Sequence, residues 1–175
     1  MSTKAQAKKD QIVADLIESR REILDAATRL SPEQQDTIFL GVWSVQDLLA
    51  HLVGWDLANL AAADEVLAAQ LPAFYAYHDR DWQTYNSGLV AQHKRAAWVD
   101  MVATVEESHR KLVEHVRTIP AEELDSDRGV RFRGYKVTIA RLLQAEAGDE
   151  RRHAAQIRDY FHLPSGSLSP KEDRW

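Results

Sequence analysis

Apolar residues at helical spacing fill this chain almost from end to end, and that spacing constrains its fold more than any other feature. From Ala5 to about Leu30 they recur as Ile12, Leu16, Ile23, Ala27 and Leu30, at intervals that lay one stripe along an amphipathic helix. Ser31-Pro32 ends that helix, and Ser31 to Gly41 reads as a connection with a short turn at Pro32-Glu33-Gln34. A second helix starts at Ser44, with Asp47 as its capping-box partner, and runs to about Gln70 through Val45, Leu48, Leu52, Trp55, Ala63 and Val66. After Leu71-Pro72 the chain up to Arg80 is crowded with Phe74, Tyr75 and Tyr77, a connection suited to packing over the helices and covering a pocket. Trp82 to His93 predicts a short helix merging into a long third one, whose stripe Trp98, Val102, Val105, Leu112, Val116 and Ile119 ends at Pro120. Thr138 can cap a fourth helix that carries Ile139, Leu142, Leu143, Ile157 and Tyr160 and stops at Leu163-Pro164. Strand character is confined to Asp125 to Val137, where Val130 to Tyr135 alternates around Gly134. The pattern predicts an all-α four-helix bundle with a short extra helix and a small hairpin or irregular loop before the last helix. One domain over 1–163 and a mobile polar tail over 164–175 complete the expectation.

The chemistry open to such a bundle is narrowed by what it lacks. There is no cysteine, so disulfides, thiolate zinc sites and cysteine nucleophiles are excluded, and any metal falls to histidine and carboxylate ligands. A formal net charge of −5 argues against a nucleic-acid partner, which normally demands a basic face. Met1 to Asp10 is polar and lacks the apolar core of a signal peptide, and no apolar run approaches the ~18 residues of a membrane span. A cytoplasmic protein that binds a small molecule, with no nucleic acid and no membrane as partner, is therefore expected.

The fourth helix contains an interruption that demands an explanation. At about 100° per residue, Glu146 lies about 20° from His153 around the axis, Asp149 about 40° to one side and Glu150 about 60° to the other. These polar groups share a sector with Leu142 and Ile157. Acids and an imidazole on an apolar stripe are costly unless they are paired, hydrated or metal-bound. Asp149 and His153 are four residues apart and share a face. With His51 of the second helix they make a three-ligand set that leaves coordination positions open for water or substrate. Glu146 and Glu150 are candidate catalytic residues, orienting a ligand or acting as general base. His109 lies inside the third stripe, where a packed, hydrogen-bonded histidine is the ordinary outcome.

These residues sit in motifs with a family likeness. Trp43-Ser44-Val45-Gln46-Asp47-Leu48-Leu49-Ala50-His51-Leu52 resembles the second-helix motif of the DinB/YfiT-like superfamily, and Gly148-Asp149 through His153-Ala154-Ala155-Gln156 resembles its fourth-helix motif. The resemblance implies a bundle of up-down-down-up topology, a homodimer, and a divalent metal held by one histidine of the second helix and an H-x-x-x-H pair of the fourth. His51 and His153 correspond to two of those ligands. Asp149 stands where the pair has its first histidine, a substitution also found in the similar mycothiol-dependent maleylpyruvate isomerases. Zinc, nickel, iron or manganese would suit, with carboxylate favouring harder ions, and a low-molecular-weight thiol is compatible as a further cofactor. The segment Asp81-Trp82-Gln83-Thr84-Tyr85-Asn86 resembles the ClbS/DfsB branch, which often lacks the metal histidines and includes a protein protecting its host from a reactive cyclopropane natural product.

Three functions are compatible with these features. The first is a metal-dependent hydrolase or thiol transferase using His51, Asp149 and His153. The second is a metal-free binding or self-protection protein with apolar walls from Trp43, Trp55, Trp82, Tyr85 and Trp98. The third is a non-catalytic dimerisation module.

Overall fold

The computed structural model describes residues 3–77 and 81–164. The stripe beginning at Ile12 forms α1 (Thr3–Thr28), and Ser31 then caps the single-turn α2 (Pro32–Gln35) through a capping box with Gln34. In α3 (Val45–Leu67) the Ser44 hydroxyl accepts from the Asp47 N–H, while the Asp47 carboxylate accepts from the Ser44 N–H. A 3₁₀ turn over Ala73–Ala76 leads to α4 (Trp82–His93), whose first turn is held by Asp81 accepting from the Thr84 N–H. The long α5 (Trp98–Thr118) ends before Pro120 and a second 3₁₀ turn, Ala121–Glu123. A two-residue hairpin follows, β1 (Arg131–Phe132) against β2 (Tyr135–Lys136), with Arg133 and Gly134 both at positive φ in the turn. Thr138 then accepts from the Arg141 N–H to start α6 (Ile139–Tyr160).

Two apolar clusters fix the helix directions. One joins Ile12 from the start of α1 with Val66 and Val116 near the ends of α3 and α5 and Leu143 near the start of α6. The other joins Ile23 with Leu48, Met101 and Ile157, from the opposite ends of the same helices. Hence α1 and α6 run one way and α3 and α5 the other, an all-α four-helix bundle in up-down-down-up order, with α4 crossing from the end of α3 to the start of α5. The helices pair unevenly, because α1 packs chiefly on α6, and α3 on α5 and α4. Openings remain between α3 and α6 on one side and between α1 and α5 on the other.

The expected merger of the short helix with the third does not occur. Residues 94–97 break the helix, and the break is held from α3: Lys94 Nζ bonds to Asp47 Oδ1 at 2.7 Å, and the Gln46 side-chain amide donates to the Arg95 carbonyl. The expected tail falls mostly on residues 165–175, outside the described residues, as do residues 78–80 of the aromatic connection. Among the described residues, no helix is long and apolar enough to cross a membrane.

The seam between α3 and α4 is close because Gly54 has no Cβ. A Cβ added there would lie 2.7 Å from the Leu89 Cβ, a position no side-chain rotation relieves. Gly54→Ala is therefore expected to lower stability by ~1–2 kcal/mol, even though alanine favours a helix over glycine by ~1 kcal/mol. Urea denaturation checks this, and an unchanged or raised midpoint would contradict the tight seam.

Candidate functional site

A buried ion-pair network crosses the middle of the bundle between the two apolar clusters. Arg20 of α1 spends all five guanidinium N–H groups there. Its Nε donates to Glu150 Oε2 at 3.1 Å, Nη1 to Asp56 Oδ2 and the Val105 carbonyl at 3.0 Å each, and Nη2 to Asp56 Oδ1 at 2.9 Å and Glu150 Oε1 at 2.6 Å. The Ser108 hydroxyl donates to Asp56 Oδ2 at 2.6 Å, and Ser19 Oγ lies 3.3 Å from Glu150 Oε2. Burial alone would raise the Asp56 carboxyl, but Arg20 and His109 outweigh it and hold Asp56 below the usual carboxylate range.

One turn away from this network, a cavity of about 450 Å³ opens between α3 and α6. Trp43, Trp55, Phe74, Tyr75 and Trp82 form its apolar walls. Trp55 is the hub: its ring centroid lies 5.3 Å from Phe74 and 5.2 Å from Trp82, and its indole N–H donates to Asn86 Oδ1 at 3.1 Å. The aromatic connection expected to cover a pocket does so through Phe74 and Tyr75. Tyr85 stacks on Trp82 at 5.6 Å behind the wall, and Trp98 packs into the apolar cluster at the α5 start instead of the cavity.

Three of the residues singled out in the sequence meet at the edge of this cavity. One ligand-type atom from each of His51, Asp149 and His153 lies within 4.8 Å of the other two. His153 Nε2 is 3.2 Å from Asp149 Oδ2, while its Nδ1 lies 2.7 Å from Gln156 Oε1. Gln156 Oε1 can only accept, so this contact takes an Nδ1–H and fixes the ring with Nε2 turned to the Asp149 carboxylate. Burial first, and then the like charge of His153, push the His51 imidazole down to about 4, so His51 is neutral at physiological pH. Its buried Nδ1 has no hydrogen-bond partner among the described residues. Trp43 covers the His51 ring at 4.9 Å, and the His153 ring stands perpendicular to it at 5.9 Å. Burial works to raise Asp149, yet His153 and Arg152 outweigh it and keep the carboxyl below its usual value.

The two glutamates proposed as catalytic have different positions. Glu146 lines the cavity, where its Oε2 accepts from Asn59 Nδ2 at 3.0 Å. Burial first, then the negative charges of Glu150 and Asp56, raise its carboxyl well above the ordinary range, which favours the protonated acid. Glu150 is fully buried behind the cavity, with both oxygens bound to Arg20. A consequence for stability follows from Glu146. Its folded-state proton affinity exceeds the unfolded one, so its contribution is intact below about pH 4.3 and shrinks as pH rises toward the folded value. Glu146→Gln keeps the shape and removes that loss. Thermal melts should show the variant gaining on the parent more at pH 8 than at pH 5, and an equal difference at both would count against a neutral Glu146.

Other expectations resolve by geometry. His109 faces the opening between α1 and α5, with Nδ1 3.6 Å from Asp56 Oδ1 and neither ring nitrogen hydrogen-bonded among the described residues, so it takes no part in the His51 cluster. Asp56, His109 and Glu150 also lie at metal-ligand spacing, but the Arg20 cation already satisfies both carboxylates. Arg20, Asp56 and Asn59 were missed from the sequence. Their signal was spacing, since Arg20 falls between Leu16 and Ile23 on the α1 stripe and Asp56 follows Leu52 by four on α3.

Comparison with known proteins adds the following. The family model described as the DinB superfamily matches residues 15–157. No curated protein matches the sequence. Among solved structures, the fold is similar to the colibactin self-resistance protein ClbS in its crystal structure with a double-stranded DNA, with TM-score 0.73 and 14% identity, covering 90% of this chain and 97% of that one. It is also similar to an uncharacterised protein from Escherichia coli UTI89, with TM-score 0.67 and 15% identity, covering 91% of this chain and 96% of that one. At such identities the likeness is one of fold.

Proposed function

Because the chain belongs to the DinB superfamily, we propose that the cavity between α3 and α6 is the active site of a metal-dependent hydrolase or thiol transferase acting on a small electrophilic molecule. The observation that carries this reading is the convergence of His51, Asp149 and His153 within 4.8 Å at the cavity edge. The donor set fits a divalent cation. Ligand atoms of a tetrahedral zinc-type ion lie ~3.4 Å apart, given bonds of ~2.1 Å, close to the 3.2 Å between His153 and Asp149. The buried His51 Nδ1, which has no hydrogen-bond partner among the described residues, is a further donor open to such an ion. A divalent ion held there would supply Lewis acidity and lower the pKa of a bound water or thiol.

The remaining roles belong to the chain's own side chains. Gln156 fixes the His153 ring by holding its Nδ1 proton. Trp43, Trp55 and Trp82 exclude water around the bound molecule. Glu146, inside the same cavity and with its carboxyl raised by burial, is placed to give a proton to a leaving atom. A small molecule suits this cavity, and the formal charge of −5 weighs against nucleic acid as the substrate.

Metal analysis of protein purified without an affinity tag tests the reading. About one equivalent of a zinc, nickel, iron or manganese ion per chain is expected after reconstitution, with loss of binding in Asp149→Ala and His153→Ala. Protein that takes up no metal, or variants that bind it as well as the parent, would overturn it.

One observation favours a second reading, a metal-free binding or self-protection protein. The aromatic walls of the cavity and the hydrogen-bonded pair Asn59 and Glu146 inside it are built without a metal. The structural neighbour ClbS is a self-resistance protein. Under this reading, chelator-treated protein still changes its tryptophan fluorescence when an electrophilic ligand is added, and Asp149→Ala leaves that change intact.

A further inference from the structure

The cavity has a polar end distinct from the His51 cluster, built by Asn59 of α3 and Glu146 of α6. Both side chains are more than nine-tenths buried and both line the cavity. One hydrogen bond joins them, Asn59 Nδ2 to Glu146 Oε2. That bond leaves the Asn59 carbonyl Oδ1 and the second Glu146 oxygen without a protein hydrogen bond among the described residues. Arg20, the nearest buried cation, has no N–H left for Glu146, since all five go to Asp56, Glu150 and the Val105 carbonyl. Without an N–H from Arg20, and with the Asp56 and Glu150 carboxylates behind it, Glu146 is favoured as the acid. The pair thus presents one O–H donor and one C=O acceptor side by side.

We propose that Asn59 and Glu146 form a reading edge for a primary or secondary amide, lactam or imide carried by a flat aromatic ligand. The ligand N–H donates to Asn59 Oδ1 and the ligand C=O accepts from the Glu146 O–H, while the rings of Trp55 and Phe74 hold its flat face. In metal-free protein the same edge rejects carboxylates, because an anion would meet Asp149 within the cavity and Asp56 and Glu150 behind it, while Arg152 at the cavity is already paired with Asp149. A tertiary amide loses the N–H and leaves Asn59 Oδ1 buried and unpaired, a loss that a hydrogen-bonding site amplifies. This inference rests on the cavity being a small-molecule site; the amide edge needs no metal, and its discrimination against carboxylates applies to metal-free protein.

The probes are 2-naphthamide, its N,N-dimethyl derivative and 2-naphthoate, titrated at pH 7 against the full-length protein by calorimetry or tryptophan fluorescence. The protein is stripped of metal with a chelator before titration, and its capacity to rebind metal is measured separately. The primary amide is expected to bind about fivefold or more tighter than either competitor, from the one neutral hydrogen bond at stake. Glu146→Leu and Asn59→Leu should bring the amide preference to within about twofold. Equal binding of the three probes by the parent, no binding of any of them at millimolar concentration, or a preference that survives in both folded variants would overturn the proposal. If the variants do not fold, the comparison among probes on the parent still decides it. Protein that rebinds metal but shows no amide preference in its metal-free form removes this inference and leaves the metal enzyme standing, whereas an amide preference in protein that never binds metal does the reverse.

Discussion

Arg20→Ala is expected to cost about 3–5 kcal/mol of stability, enough to leave a domain of ordinary stability largely unfolded at 37 °C. The cause is the charge left behind more than the bonds lost. Asp56 and Glu150 are both fully buried, and Arg20 is the cation that satisfies both. Burial alone would strip its proton, but the two carboxylates outweigh that and hold the guanidinium firmly charged. Without it, two carboxylates face each other beside Glu146 and must protonate or drag in water. For a chain of this size the change corresponds to a fall in melting temperature of roughly 6–20 °C, measurable by circular dichroism. A companion variant separates the two causes. Arg20→Met combined with Asp56→Asn and Glu150→Gln removes the charges together and should recover a large part of the loss, since a buried network replaced as a whole is close to neutral. An alanine variant that melts within about 2 °C of the parent would show that the network contributes nothing.

The second large effect concerns the cation site. His153→Ala is expected to weaken divalent-metal binding by at least ~100-fold, and Gln156→Leu by ~10-fold, the span over which supporting partners of a ligand act. The difference arises because the first change deletes a donor that sits 3.2 Å from Asp149, while the second only frees a ring that Gln156 holds through Nδ1. Competition with a chromophoric chelator reads both affinities. Binding that is equally strong in His153→Ala would place the metal elsewhere or nowhere. Neither change touches the Arg20 network, so both variants should melt close to the parent.

Much of this fold is legible in the sequence because its information is local and periodic. The stripe Ile12, Leu16, Ile23 and the capping pair Ser44 and Asp47 each specify an element without reference to the rest of the chain. The break at 94–97 escapes such reasoning, because it is held by Gln46 and Asp47 reaching across from another helix. The candidate site divides the same way. Periodicity places Glu146, Asp149, Glu150 and His153 in one inward sector, and the structure brings Asp149 and His153 to His51. An angle around a helix cannot say which neighbour an inward acid will meet, and so Glu146 and Glu150 look alike in the sequence while one meets a cavity and the other a guanidinium. Arg20 was hidden by the habit of long basic side chains to snorkel outward from apolar stripes.

The Arg20 network also has a mechanical meaning. Its donors and acceptors come from all four long helices: Arg20 from α1, Asp56 from α3, the Val105 carbonyl and Ser108 from α5, and Glu150 from α6. A slip of any helix by one residue, ~1.5 Å along its axis, would pull at least one charged bond apart, whereas the apolar clusters above and below could repack. The network therefore works as a register pin, the role for which buried polar groups are best suited. Asn59 lies three residues beyond Asp56 on α3, and Glu146 four before Glu150 on α6. Each member of the cavity's polar pair thus stands one helical turn from a carboxylate clamped to Arg20, so the pin that locks the helices lengthwise also sets how Asn59 and Glu146 face a ligand.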